Sequence, residues 1–219
     1  LERISNKIGS YTTTDKKLAT LYIAEARALR GMFYFELVRR FGNVVLMTST
    51  QMSNQNPATY VQSAPEKVYE YIEDDLLYAC DILPYATDDQ YRESNDYRFS
   101  KGAALGLLTK VYATWAGYPV KDESKWEAAA KTARILVESG KHGLLKDYEQ
   151  LWKNTCNGTW DPTESLIEIS FYSPTVSGNS DPVGRIGKWN GVKTTAIAGV
   201  RGSCAANVKV VHTFVLDWR

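Results

Sequence analysis

The sequence is short of almost every feature that would point to a particular chemistry. Charge of one sign is absent: 26 Lys and Arg oppose 25 Asp and Glu, for a net charge of +1 over 219 residues. No field of that size draws in nucleic acid or an acidic substrate. There is no Lys/Arg-rich run, no phosphate-cradling glycine loop and no dinucleotide fingerprint, and Phe41-Gly42-Asn43 reads as a helix stop. The longest uncharged stretch, residues 41–65, is rich in Ser, Thr, Asn and Gln, so nothing is apolar enough to span a bilayer, and the first residues do not form a signal peptide. Three cysteines, Cys80, Cys156 and Cys204, cannot all pair within the chain and show no metal-binding spacing. With only His142 and His212, a His-rich metal site or a histidine-dependent nucleophile would rest on a single residue. Each histidine reads better as a polar residue at a helix end or on the surface. No cofactor and no metal is implied.

What is present is apolar residues at helical spacing: 44% of the chain is hydrophobic and 23% charged, the balance of an ordinary globular protein with one sizeable core or two small ones. Leu1, Ile4 and Ile8 are helically spaced and closed by Gly9, with no start signal before them. Thr12 and Asp15 suit a capping box opening a long helix to Phe41. One row is Leu18, Tyr22, Ala26, Leu29, Phe33 and Leu37, and a second is Leu21, Ala24, Ala28, Met32 and Phe35. Two apolar rows predict a central helix. Ser63, Pro65 and Glu66 announce the next helix, whose stripe is Val68, Ile72, Leu76, Ala79 and Leu83, with Cys80 as buried filler beside it. After a charged, flexible loop a third begins near Ser100 and carries Ala104, Leu108, Val111, Tyr112 and Trp115 to Gly117. In a fourth, Ser124 and Glu127 form a capping box and Trp126, Ala129, Ala130, Ala133 and Leu136 the buried face, stopped by Gly140. Four such helices in pairs predict a mainly α fold of tetratricopeptide-like hairpins, an α-α superhelix, from residue 1 to about 150.

The last 69 residues hold 7 of the 15 Gly and 4 of the 6 Trp, so a loop-rich segment built on aromatic anchors is expected over 151–219, packed on the helical body. Within it Ile167, Ile169 and Phe171 alternate with Leu166, Glu168 and Ser170, which predicts a half-buried strand. Val208, Val211, Val215 and Trp218 recover helical spacing to Arg219 with no stop signal, and both ends read as cut from a longer polypeptide.

Read in order, several segments resemble the SusD/RagB family of glycan-binding outer-membrane lipoproteins of the Bacteroidetes. AEARALRGMFYFELVRRFGNVVLMT at 24–48 is similar to the family's central helix and the extended run after it. YEYIEDDLLYACDILP at 69–84 is similar to its helix ending in Leu-Pro. RFSKGAALGLLTKVYATWAG at 98–117 and WEAAAKTARILVESGKHGLL at 126–145 resemble its tetratricopeptide-like pair, followed by YEQLW at 148–152 and ESLIEISF at 164–171. The chain departs in two places: Val45 stands where the family carries Pro, and Gly31 where it carries Ala. Its length is also about half that of family members or less, so the lipidated cysteine and the opening and later helices would lie outside it.

The resemblance implies binding rather than catalysis: capture of a polysaccharide or oligosaccharide for a SusC-like TonB-dependent transporter, with membrane contact only through a lipid anchor. Sugars are held by aromatic rings stacked on their C–H faces, with Asn, Asp and Arg satisfying the hydroxyls. In the C-terminal third that mixture gives Trp189 with Asn190 as first candidates, between Gly187 and Gly191. Trp160, Tyr172 and Arg201 follow, the alternative at each being a loop anchor. Trp115, Trp126, Trp152 and Trp218 fall on apolar faces and read as core. Two other classes compete. A glycoside hydrolase needs two carboxylates about 5 to 9.5 Å apart, whereas Glu164 and Glu168 on an extended strand would stand about 13 Å apart. Asp74 and Asp75 diverge on a helix and read as a solvated face. A protein-interaction scaffold follows from the hairpins alone.

Overall fold

The computed structural model divides into two compact units, Leu1–Glu168 and Ile169–Arg219. It describes residues 1–49, 52, 56–92, 97–157 and 159–168, all in the first unit. Six α-helices account for most of that unit, and no strand occurs among the described residues, as a mainly α fold requires. Helix α1 (Glu2–Lys7) runs into a single 3-10 turn. Helix α2 (Thr13–Phe41) is opened by Thr12, whose hydroxyl oxygen accepts from the Asp15 amide at 3.2 Å, and is stopped by Gly42 at φ 67°. Helix α3 (Pro65–Ile82) packs on α2, α4 (Lys101–Ala116) on α3, and α5 (Lys125–Glu138) on α4. Helix α6 (Tyr148–Asn157) carries helical structure past residue 150, opened by the Asp147 carboxylate, which accepts from the Glu149 amide at 2.9 Å.

One core runs through α2 to α5. The α3 stripe expected from spacing is buried along its whole length, Val68, Ile72, Leu76 and Ala79 at 0% exposure, and so is that of α4. Small residues set how near α2 and α3 come. Ala24 and Ala28 are fully buried, and a Cβ on Gly31 would sit 3.3 Å from Leu76 Cγ. Trp115 stacks on Tyr69 at 5.3 Å, and Lys125 Nζ stands 3.9 Å above its ring.

Several expectations are corrected. Of the two α2 rows only the second is buried, through Ala24, Ala28 and Phe35. The first leaves Tyr22, Leu29, Phe33 and Leu37 exposed, so α2 lies at an edge of the described unit. Ser63 does not cap α3. Its backbone pairs with Val44 in an isolated antiparallel bridge, and Pro65 opens the helix instead. Ser124 has helical dihedrals and donates its hydroxyl to Asp122, so the Asp122 carboxylate, which also accepts the Ser124 amide at 3.2 Å, holds the start of α5. The buried residues of α5 are Ala129 and Thr132, which turns Trp126 outward at 53% exposure, and Trp152 is likewise 64% exposed. Residues 165–168 pair with no strand among the described residues, although Ile167 still packs on the core.

Cys80 is half-buried filler as expected, and burial pushes its thiol up to about 12. Against an ordinary value of 9.0, this lowers the thiolate fraction near pH 8 about a thousandfold. The native protein is therefore expected to alkylate at Cys80 at least 100-fold more slowly than the unfolded chain, as peptide mapping after an iodoacetamide pulse would read. Because the folded value is raised, this group's contribution to stability is complete below pH 9 and is lost as pH climbs from 9 toward 12.

Candidate functional site

Within the segment after α3, which reads in sequence as a charged, flexible loop, residues 84–92 are bonded to one another and to the start of α4. The Lys101 amide donates to the Pro84 carbonyl at 2.8 Å, tying the loop's start to the first turn of α4. The Asp89 carboxylate accepts the Tyr91 amide at 2.9 Å and pairs with Arg92 at 3.7 Å, with both side chains almost fully buried. Arg92 donates onward to the Arg98 and Phe99 carbonyls at 2.9 and 3.1 Å. A buried ion pair costs desolvation that only good geometry and further hydrogen bonds offset, and here those bonds fix a loop conformation. At the rim Lys141 Nζ donates to Asp88 at 2.8 Å, and this bond holds the Asp88 carboxyl below its usual range.

That loop and the first turns of α2 enclose a groove of about 530 Å³. Its floor is Leu21, Ile82 and Pro84. Thr13, Lys16, Lys17 and Thr20 stand on one side, and Asp88, Asp89, Gln90 and Tyr91 on the other. An apolar floor with a hydrogen-bonding rim and one ring suits a sugar's two kinds of surface. Sequence reasoning missed this wall, because nothing local distinguishes Asp88–Tyr91 from a solvated charged loop; the only signal was an aromatic within it.

Trp160, the one sequence candidate among the described residues, is half-buried beside Arg92 and Tyr97. Arg92 Cζ is 5.2 Å from its ring centroid and the Tyr97 ring 6.0 Å away. Trp189, Asn190, Tyr172 and Arg201 fall outside the described residues.

The carboxylates considered for hydrolysis are engaged elsewhere. Glu164 accepts the Leu145 amide at 2.6 Å and Glu168 accepts the Ser165 hydroxyl. Asp75 is not on a solvated face but fully buried. It is gripped by Arg27 Nε at 2.7 Å and, in bidentate fashion, by Arg30 Nε at 2.7 Å and Nη2 at 2.8 Å. Asp74 is the exposed member and takes a second bond from Arg27. The Arg27 guanidinium lies 4.3 Å from the Tyr78 centroid and that of Arg30 4.7 Å from Tyr71. The bond to Asp75 raises the Arg30 pKa further. Glu25 pairs with Arg98, while Glu73 accepts from the Tyr112 hydroxyl at 2.7 Å and from Lys125. Burial, reinforced by Glu73, pushes the Tyr112 pKa up. These ion pairs join helices. No group of three metal-ligating side chains occurs among the described residues, and no described helix is long and apolar enough to cross a membrane.

Comparisons with known proteins place this geometry. A SusD-like family model, described as starch-binding and associating with the outer membrane, matches residues 1–113. A crystal structure of a SusD homolog from Bacteroides thetaiotaomicron VPI-5482 is 97% identical over the whole chain with a TM-score of 0.88, and the chain covers 41% of it. A SusD-like protein of Bacteroides ovatus is 29% identical over 78% of the chain and 32% of its own length. A solved laminarin-binding SusD-like protein is 31% identical over 70% of the chain and 32% of its own, with a TM-score of 0.53. The chain thus spans between about a third and two fifths of these three proteins.

Proposed function

The chain belongs to the SusD-like family, and from that premise we propose that it captures a polysaccharide or oligosaccharide at the cell surface and passes it to a TonB-dependent outer-membrane transporter. The observation that carries this reading is the family itself, whose description is starch-binding and one of whose members binds laminarin. Binding without turnover fits carboxylates that are occupied by arginines, a lysine, a tyrosine and a backbone amide. The family description also supports an outer-membrane location. In this reading the helical body positions loops and the aromatic-rich segment after about residue 150 touches the glycan, with Trp189 and Asn190 as the leading contacts. Trp160 acts through Arg92, whose guanidinium packs on its ring.

The test is calorimetry or affinity electrophoresis against a panel that includes starch and laminarin. Trp189→Ala is expected to weaken binding of the recognised glycan at least tenfold, the loss of about 1.4 kcal/mol of stacking, with the melting temperature unchanged. Unaltered binding by the variant rules out Trp189 as the contact, and absence of binding to every glycan by the parent protein rules out the function. Steady release of reducing ends on the same panel would establish a hydrolase in its place.

A further inference from the structure

The groove between the first turns of α2 and the Asp88–Tyr91 wall has banks of opposite charge over an apolar floor. Leu21, Ile82 and Pro84 form the floor and Tyr91 adds a ring, while Thr13, Lys16, Lys17 and Thr20 face Asp88, Asp89 and Gln90. Its polar groups are not used up on one another. Lys16 and Lys17 are exposed and make no ion pair among the described residues. The Thr20 hydroxyl donates to the Lys16 carbonyl at 2.8 Å, and its oxygen can still accept. The Asp88 carboxylate takes Lys141 at 2.8 Å, a bond that keeps it ionised, and has lone pairs left for a pair of hydroxyls. Asp89 is committed to Arg92 and to the Tyr91 amide, so it shapes the wall. These bonds are in place before any ligand arrives, which lowers the ordering cost of binding.

We infer that this groove is a carbohydrate-binding site in its own right, built only from residues of the first unit, and that it takes a neutral pyranose. The ring's apolar face lies on Tyr91 and the floor, and its hydroxyls bridge Lys16 or Lys17 to Asp88 and Gln90. The inference rests on glycan capture but on no residue of 169–219. Charge narrows the ligand. An acidic sugar would bring a third carboxylate toward Asp88 and Asp89, and an amino sugar a third cation toward Lys16 and Lys17. A hydroxyl accepts from one bank and donates to the other. A peptide suits the groove less well, since an added strand needs a sheet edge and a docked helix a long apolar groove. No strand occurs among the described residues, and the floor is three side chains.

The test is affinity electrophoresis of the full-length protein, with positions numbered as in this chain. The gels hold starch, laminarin, xyloglucan, xylan or mannan, with polygalacturonate as the acidic comparison. For the neutral polysaccharide that retards the parent, Tyr91→Ala is expected to weaken binding about fivefold through loss of the ring. Thr20→Trp fills the groove and should weaken it about tenfold or more, while melting within about 2 °C of the parent. Val61→Ser, at a residue 83% exposed, should stay within about twofold. Thr20→Trp decides the matter if Tyr91→Ala fails to fold. A parent that is retarded, with Thr20→Trp binding within about twofold of it, overturns the site and leaves glycan capture standing. A parent retarded by no gel removes glycan capture and the site together. Stronger retardation by polygalacturonate than by every neutral gel overturns the neutral ligand. A Thr20→Trp protein that melts more than about 6 °C early also overturns the site, because another part of the polypeptide then fills the groove.

Discussion

Asp75→Ala is expected to lower the free energy of unfolding by about 3–5 kcal/mol, because it removes one charge from a buried cluster and leaves two opposite ones behind. Asp75 is fully buried and takes three hydrogen bonds from Arg27 and Arg30, whose own side chains are only 19 and 26% exposed. Neither guanidinium can swing wholly into water without leaving the Tyr78 or Tyr71 ring on which it rests. At about 2–4 °C per kcal/mol for a chain of this size, the melting temperature should fall by roughly 6 to 20 °C. Asp74→Ala, one residue away but with a 76% exposed side chain, should cost no more than about 1 kcal/mol. Replacing all three members, as Arg27→Met, Arg30→Leu and Asp75→Leu, should cost less than Asp75→Ala alone, since no charge is then stranded. Denaturant titrations of the four proteins decide the matter, and an Asp75→Ala protein within 1 kcal/mol of its parent would mean that the cluster relaxes into solvent.

This cluster also explains what made the chain recognisable. In AEARALR at 24–30, Ala24 and Ala28 let α3 approach, Glu25 pairs with Arg98, and Arg27 and Arg30 hold Asp75. In YEYIEDDLLY at 69–78, Tyr71 and Tyr78 carry the two guanidinium groups and Glu73 reaches Tyr112 and Lys125. The recurring letters are therefore the seam of the helical scaffold, so they reveal the fold while saying nothing direct about the ligand. Periodicity located α3 and α4 because the apolar stripes of both are buried against neighbours within the described unit, α2 and α4 for α3, α3 and α5 for α4. It could not choose between the rows of α2, where both rows are apolar and the choice depends on which neighbour is present. The capping pattern succeeded at Thr12, where the residue leaves the helix. It failed at Ser63 and Ser124, whose backbones are committed to Val44 and to an Asp122 turn. Asp75 was misjudged because its partners lie 45 and 48 residues away. The Asp88–Tyr91 wall was illegible for the same reason: the bonds of its loop reach Lys101 and, through Arg92, Trp160, which only the fold brings near.

The contrast between two phenylalanines on one helix gives the other large effect. Phe35 is 1% exposed, lies on the face of α2 turned to α3 and meets the Tyr69 ring edge-on at 6.4 Å. Tyr69 in turn stacks on Trp115, so a ring removed at 35 opens a void against a chain of aromatics running from α2 to α4. Rigid rings on both sides cannot collapse into that space, which puts Phe35→Ala at about 3–5 kcal/mol, the lost transfer energy plus an unfilled cavity. Phe33, two residues earlier and 58% exposed, has no such neighbours in the first unit, so Phe33→Ala in the 219-residue chain should change stability by less than about 0.5 kcal/mol. Paired denaturant melts of the two variants read the orientation of α2 directly. Equal losses would mean that both rows of the helix are buried and that its place at the edge of the unit is wrong. A small loss at Phe35 with a large one at Phe33 would rotate the helix by about half a turn and place α3 against the opposite row.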